Sequence, residues 1–208
     1  TGPVTVEQVI AGFEGFDKGL QSLTAEFRQL VRLDETGTSN GVEGQLEFKK
    51  PSKLRLEHRL PEAQTVVGDG TWLWVWRPST NQAVKRRFSD WKGSEPLAQG
   101  LLDFGNYSSF LKSYQVVIAT QSAPGADGHR RVELSLRPKD KPAEFELKLT
   151  LSTKDYFPYE TKLRAGQAVI QSQFTKVRYN VPVPDERFAF TPPPGADIFE
   201  PKQAKSKN

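Results

Sequence analysis

Gln64-Thr65-Val66-Val67-Gly68-Asp69-Gly70-Thr71-Trp72-Leu73-Trp74-Val75-Trp76-Arg77-Pro78 is the stretch that decides the fold. Two β-favouring runs flank an Asp-Gly pair, and glycine takes the positive φ of a tight hairpin turn without steric cost. The spacing predicts two antiparallel strands, the second ended by Pro78, with Gln82 to Phe88 able to pair as the next. Trp72, Trp74 and Trp76 share one face of their strand, and Leu73 and Val75 share the other. A strand apolar on both sides is either covered on both or borders a greasy cavity on one.

Toward the N-terminus the same period continues. Leu54, Leu56, His58 and Leu60 alternate with Lys53, Arg55, Glu57 and Arg59; Val42, Gly44, Leu46 and Phe48 precede them across Lys49-Lys50-Pro51. Leu23, Ala25, Phe27, Gln29, Val31 and Leu33 share one parity, as in a half-buried strand. Asp34 to Gly41 reads as a turn or short loop. Ahead of these strands Val6, Val9, Ile10, Phe13 and Phe16 fall at helical steps. Thr5 and Gln8 have the spacing of a capping box. Gly12 and Gly15 each cost a helix about 1 kcal/mol relative to alanine, so packing must hold this one in place.

Toward the C-terminus the alternation breaks between Ser94 and Lys112. Ser94 is placed to cap a short helix through Leu97, Leu101 and Leu102, and Tyr107 to Leu111 reads as a second. Gly93, Gly100, Gly105 and Asn106 make these pieces short and easily hinged. Strands resume at Tyr114–Thr120, Arg130–Arg137, Glu144–Ser152, Glu160–Leu163 and Ala168–Tyr179. Val181 to Pro184 is extended, and Phe188, Phe190 and Pro192-Pro193-Pro194-Gly195 end the fold. About ten antiparallel strands, a leading helix and a helical insert describe one large curved sheet, a partly closed barrel that the helices plug. The chain reads as a single domain over residues 1–200 followed by a frayed basic tail at 201–208.

Composition narrows the function. The chain has 208 residues, 36% hydrophobic and 26% charged, with no apolar run long enough for a transmembrane helix. Without cysteine there is no disulfide, thiolate metal site or thiol catalysis. Methionine is absent even at position 1, so the expectation is a chain that starts after a removed segment, a cleaved signal peptide or an engineered boundary. A net charge of +4 is too mild to imply nucleic acid. Between Lys49 and Lys92, ten basic groups face four acidic ones, a local +6. Such a segment serves as a solvated strand face or as a docking patch for an acidic partner or anionic headgroups.

Of the two histidines, His58 sits on an apolar strand face and reads as a packed, hydrogen-bonded core residue, while His129 lies beside a Gly-rich turn. No nucleophile elbow, phosphate loop or His-Glu-x-x-His occurs. The pairs Glu144/Glu146 and Asp185/Glu186 read as wet sheet faces. No catalytic residue, metal or cofactor is expected. What stands out is apolar surplus: the sheet offers more greasy side chains than a helix of about three turns covers. Either the interior is packed solid or it holds an apolar ligand beneath a movable lid.

Three strings carry a resemblance: Leu46-Glu47-Phe48-Lys49-Lys50-Pro51-Ser52-Lys53-Leu54-Arg55, then Gly68 to Pro78, then Arg187-Phe188-Ala189-Phe190-Thr191-Pro192-Pro193-Pro194-Gly195. Together and in this order, over Val4 to Phe199, they resemble the LolA family of outer-membrane lipoprotein carriers. The resemblance implies an unclosed, strongly curved antiparallel β-barrel, capped by an N-terminal helix and short lid helices around a cavity for acyl chains. It implies a monomeric periplasmic carrier, with no cofactor and only transient membrane proximity. Its cargo would be lipoproteins taken from an inner-membrane ABC transporter and given to an outer-membrane receptor of the LolB type. Phe27, Leu46, Phe48, Leu54, Leu56, Trp72, Trp74 and Trp76 are expected to include the cavity wall, and Leu101, Leu102, Phe104, Phe110 and Leu111 the lid contacts. Lys50 stands where the family carries an arginine that clasps the lid, and it lacks the fork of donors for a multidentate clasp. Two alternatives share this scaffold: a lipid-sensing regulatory module, and a carrier of another amphiphile such as a glycolipid.

Overall fold

The computed structural model describes residues 2–94 and 102–201. Helix α1 (Val6–Gly19) leads into β1 (Ser22–Leu33), β2 (Thr38–Lys49), β3 (Lys53–Leu60), β4 (Gln64–Gly68), β5 (Trp72–Arg77) and β6 (Gln82–Arg87). The short helices α2 (Phe88–Ser94) and α3 (Tyr107–Leu111) follow. Then come β7 (Tyr114–Gln121), β8 (Arg131–Pro138), β9 (Glu146–Ser152), β10 (Glu160–Ala165), β11 (Ala168–Tyr179) and β12 (Asp197–Phe199). All twelve strands form one open sheet in the order β12-β6-β5-β4-β3-β2-β1-β11-β10-β9-β8-β7. Two meanders thus join where β1 pairs with β11, and every pairing is antiparallel except β12 with β6.

Cross-strand register sorts the side chains into two faces. One inner row runs Leu23–Phe48–Leu54–Gly68–Leu73. On the other meander Val132, Leu151 and Leu134, Leu149 pair across β8 and β9. These residues close on Val9 and Phe13 of α1 in a single core. The helix starts as its sequence implies: Thr5 accepts from the Gln8 amide while the Gln8 side chain accepts from the Thr5 amide. Gly12 has a packing reason, because the Tyr156 ring lies where its Cβ would stand.

Four expectations are corrected. The sheet has two more strands than the ten expected, and β12 forms beyond the proline run that was read as the end of the fold. β2 begins at Thr38, so Asp34 to Gly41 is a tight turn plus strand rather than a loop. The strand over 82–88 stops at Arg87, since Phe88 opens α2. Ser94 therefore lies within a helix that begins at Phe88 and does not cap the start of one, and Leu97 and Leu101 lie outside the described residues.

The C-terminal segment explains the strand that is apolar on both faces. From Val181 it crosses the outer face of β2 to β6 as a strap. Lys49 donates to the Val183 carbonyl, and both Lys49 and Lys53 reach the Asp185 carboxylate. Arg187 grips Glu47 through two nitrogens at 3.0 and 2.8 Å. Phe190 packs on Trp74 and Trp76, with ring centroids 5.6 and 6.0 Å apart. Lys49, Lys53 and Arg55 of the basic segment thus serve an internal contact, Arg55 by donating to the Arg187 carbonyl.

Candidate functional site

Three rows of side chains cross the inner face beyond the end of α1. The first runs Phe174–Phe27–Gly44–His58 over β11, β1, β2 and β3. A side chain at Gly44 would meet the Glu57 carbonyl and the Phe27 ring, and that ring makes an edge-to-face contact with His58 at 5.4 Å. The second row runs Thr161–Ser172–Gln29, and the third Leu163–Ile170–Val31. Between the first two rows lies a pocket of about 100 Å³, lined by Phe27, Gln29, Leu56, His58, Leu102, Thr161, Ser172 and Phe174. A larger hollow of about 450 Å³ lies on the outer face, but charged groups such as Arg28, Glu133, Lys148, Glu160 and Lys162 line it. It offers hydrocarbon little, so the smaller inner pocket is the apolar site.

A pocket of 100 Å³ is small against the roughly 300 Å³ at which ligand sites usually begin. The residues from Leu102 to Leu111 account for the difference. Phe104 is 1% exposed and packs on Phe48, Tyr107, Phe157 and Phe174. Leu111 is buried in the same core. Among the described residues, these side chains fill much of the interior.

Helix α3 is fastened to α1 by polar contacts. Asp17, on the inner side of α1, accepts from the Tyr107 amide at 3.0 Å and from the Ser108 amide and hydroxyl at 2.9 and 2.6 Å. These are the free donors at the start of α3, which Asp17 satisfies from another element. Lys50 donates from Nζ to the backbone carbonyl of Asp17. Its side chain also lies against Gly105, just ahead of α3.

The sequence-derived residues divide as follows. Phe27 and Leu56 line the pocket, and Leu102 does so from the lid. Leu46, Phe48 and Leu54 are buried on the same inner face, Phe48 against Phe104. Phe110 is half-buried against Tyr114 of β7, away from the pocket. Trp72, Trp74 and Trp76 are corrected: they lie on the outer face. Their parity groups them, but Leu73 shares the inner row through Gly68 and Leu54, which turns the tryptophans outward beneath the strap, Lys85 and Arg87. Leu101 lies outside the described residues.

Reading His58 as hydrogen-bonded core is corrected in part. It is half-buried, but Nδ1 is buried with no hydrogen-bond partner among the described residues. Burial lowers its pKa, partly offset by the Gln64 backbone. Asp17, Gln29, Thr161 and Ser172 escaped the sequence reading. The signal was there for two of them. Asp17 falls four residues after Phe13 on the core-facing stripe, and Gln29 has the inward parity of Phe27.

An open, curved sheet of twelve strands wrapped around one helix, with an apolar pocket on its inner face, defines a protein of the open β-barrel class. Structural relatives agree on the fold. An uncharacterized conserved protein from Thermus thermophilus matches with a TM-score of 0.61 at 11% identity, covering 95% of this chain and 100% of that one. The lipoprotein LppX of Mycobacterium tuberculosis matches with a TM-score of 0.51 at 13% identity, covering 86% and 99%. Among sequence relatives, the outer-membrane lipoprotein carrier protein of Dechloromonas aromatica is 33% identical over 184 residues, 88% of this chain and 83% of the relative. That of Hahella chejuensis is 28% identical over 191 residues, 91% and 87%. The family model "Outer membrane lipoprotein carrier protein LolA" matches residues 18–191. The chain belongs to the LolA family.

Proposed function

We propose that this chain is a periplasmic carrier that shields the acyl chains of lipoproteins inside its sheet. In this reading it moves them from an inner-membrane ABC transporter to an outer-membrane receptor of the LolB type. The observation that carries the reading is the lid. Phe104 and Leu102 fill an apolar interior in the way a ligand tail would, while polar contacts on Asp17 keep them there. Family membership supports the same role.

The physical chemistry suits a shuttle. Each methylene removed from water contributes about 0.8 kcal/mol, so acyl chains cannot cross an aqueous compartment uncovered. Cargo must also leave. A lid that repacks the emptied interior competes with the tails and lowers net affinity, since only differential binding to the open form counts. Lid opening exchanges one set of apolar contacts for another and needs no covalent step. The protein acts as a monomer and touches the membrane only through its transfer partners.

The test is a mixture of purified protein and a triacylated lipoprotein in detergent-free buffer. A soluble one-to-one complex is expected, and the same lipoprotein without its acyl groups should fail to form it. Aggregated lipoprotein with the carrier left free would reject the reading.

A further inference from the structure

Two pairs of lysines face each other directly across neighbouring strands on the outer side of the sheet. Lys49 stands opposite Lys53 over β2 and β3, and Lys148 opposite Lys162 over β9 and β10. Like charges placed this way repel and weaken the sheet. At the first pair the chain supplies its own remedy: the strap lays Asp185 between the two ammonium groups, at 2.8 and 3.0 Å. At the second pair no carboxylate among the described residues bridges the two. Lys148 has a long contact of 3.8 Å to Glu133, and Lys162 has no ion partner among the described residues. The other acidic groups at hand are engaged, Glu160 by Arg131 and Glu43 by Arg28. This second pair borders the outer hollow of about 450 Å³, which is within the usual size of a ligand site. Thr150, Gln171 and Gln173 line it with polar groups, and Leu30, 40% exposed, adds an apolar one.

We propose that this groove docks an extended acidic segment of a partner protein, with one carboxylate seated between Lys148 and Lys162 as Asp185 is seated between Lys49 and Lys53. The strap shows the whole contact within this molecule: a carboxylate on a lysine pair, then Phe190 on apolar side chains further across the sheet. The groove offers both halves again. From Lys162 the row continues through Gln171 to Leu30 on β1. A carboxylate between β9 and β10 is about two and a half strand spacings from β1, about 12 Å. Four extended residues span about 13 Å, and positions four apart share a face, so an apolar residue four positions from the carboxylate meets Leu30. Gln171 is placed to pair with the backbone between them, since its amide both donates and accepts. The charge fits a single carboxylate, because Lys162 is the cation left over once Glu133 and Glu160 are matched to Lys148 and Arg131. A free small anion would answer the lysines and leave Gln171 and Leu30 bare, which favours a peptide. The groove lies on the opposite face of the sheet from the acyl pocket, and its role does not depend on the carrier reading.

Two measurements on the whole chain test the proposal. The first needs no ligand. Lys162→Gln removes a repulsion that nothing in the protein offsets and should raise Tm by about 1–3 °C, whereas Lys53→Gln takes a partner from Asp185 and should lower it. A fall in Tm for Lys162→Gln would show that the second pair is already satisfied, and would overturn the proposal. The second uses a fluorescent peptide library with aspartate fixed and leucine four positions on, beside the same library carrying asparagine in place of the aspartate. The wild type should bind the aspartate library about tenfold more tightly, and Lys162→Gln should bring that ratio to near one. Added salt should shrink the preference. Equal or absent binding of both libraries by the wild type, or a ratio that Lys162→Gln leaves unchanged, would overturn the proposal. Full displacement of the peptides by equimolar succinate would do so too, by marking a small-anion site instead.

Discussion

Ser108 gives its backbone amide and its hydroxyl to one oxygen of the Asp17 carboxylate, at 2.9 and 2.6 Å. Through that pair the leading helix holds the start of α3. A five-residue helix is too short to persist by itself, so α3 depends on such outside support. The clasp is polar and local, and under the proposed carrier role it is the contact that gives way when α3 moves.

Asp17→Ala should free α3. It removes three hydrogen bonds to a carboxylate and is expected to cost about 2–4 kcal/mol of stability. Amide exchange over residues 107–111 should quicken more than exchange in β1 or β11. Acyl ligand should bind more tightly, because lid closure competes less. Uniform exchange across the chain would place the clasp elsewhere.

Lys50→Ala should act in the same direction with a smaller effect, about 1 kcal/mol, since its hydrogen bond is to the Asp17 carbonyl rather than to α3 itself. The double variant Asp17→Ala/Lys50→Ala should then cost less than the two singles together, because residues in one network are not additive. Strict additivity in urea unfolding would show that the two act apart.

Two glycines of α1 should respond in opposite ways. Gly15→Ala meets open space and should stabilise the protein by about 0.5–1 kcal/mol through helix propensity. Gly12→Ala drives a methyl into the Tyr156 ring and should destabilise by about 1–3 kcal/mol. Thermal unfolding of the two variants measures both, and the same sign for each would contradict the packing described.

How far the residues alone disclose this site follows from what periodicity encodes. Alternation reports which side chains share a face, and it groups Leu54 with Leu56, and the three tryptophans with each other, as the structure does. It does not say which face turns inward. That depends on the register linking Leu73 through Gly68 to Leu54, and on a strap more than a hundred residues further along the chain. The helical stripe of α1 and its capping box are local and therefore legible. Asp17 was hidden because a carboxylate four residues after Phe13 gains meaning only when α3, ninety positions away, brings its free amides to it. Thr161 and His58 line one pocket from the two ends of a five-strand run, a juxtaposition no local pattern contains.

Acid should loosen the strap. Lys49 and Lys53 beside Asp185 hold its carboxyl down to about 2, below the ordinary 3.8. A depressed carboxyl contributes stability above its unfolded value and loses it as pH falls through the folded one, here between about 4 and 2. Amides over 185–190 should lose exchange protection in that window ahead of β8 and β9. Asp185→Asn should show weak protection there at neutral pH and no further acid step. An unchanged acid profile in that variant would assign the step to other carboxyls.

The movement of the lid is the central claim, and a chain without cysteine lends itself to measuring it. Spin labels on cysteines introduced at Ser109 on α3 and Gln45 on β2, both exposed, report the distance between lid and sheet. On adding a triacylated lipopeptide the separation should lengthen and the distribution broaden, and on removing the ligand the short distance should return. A distance that stays fixed while the lipopeptide is bound would mean that the tails lie elsewhere and that α3 is not a lid.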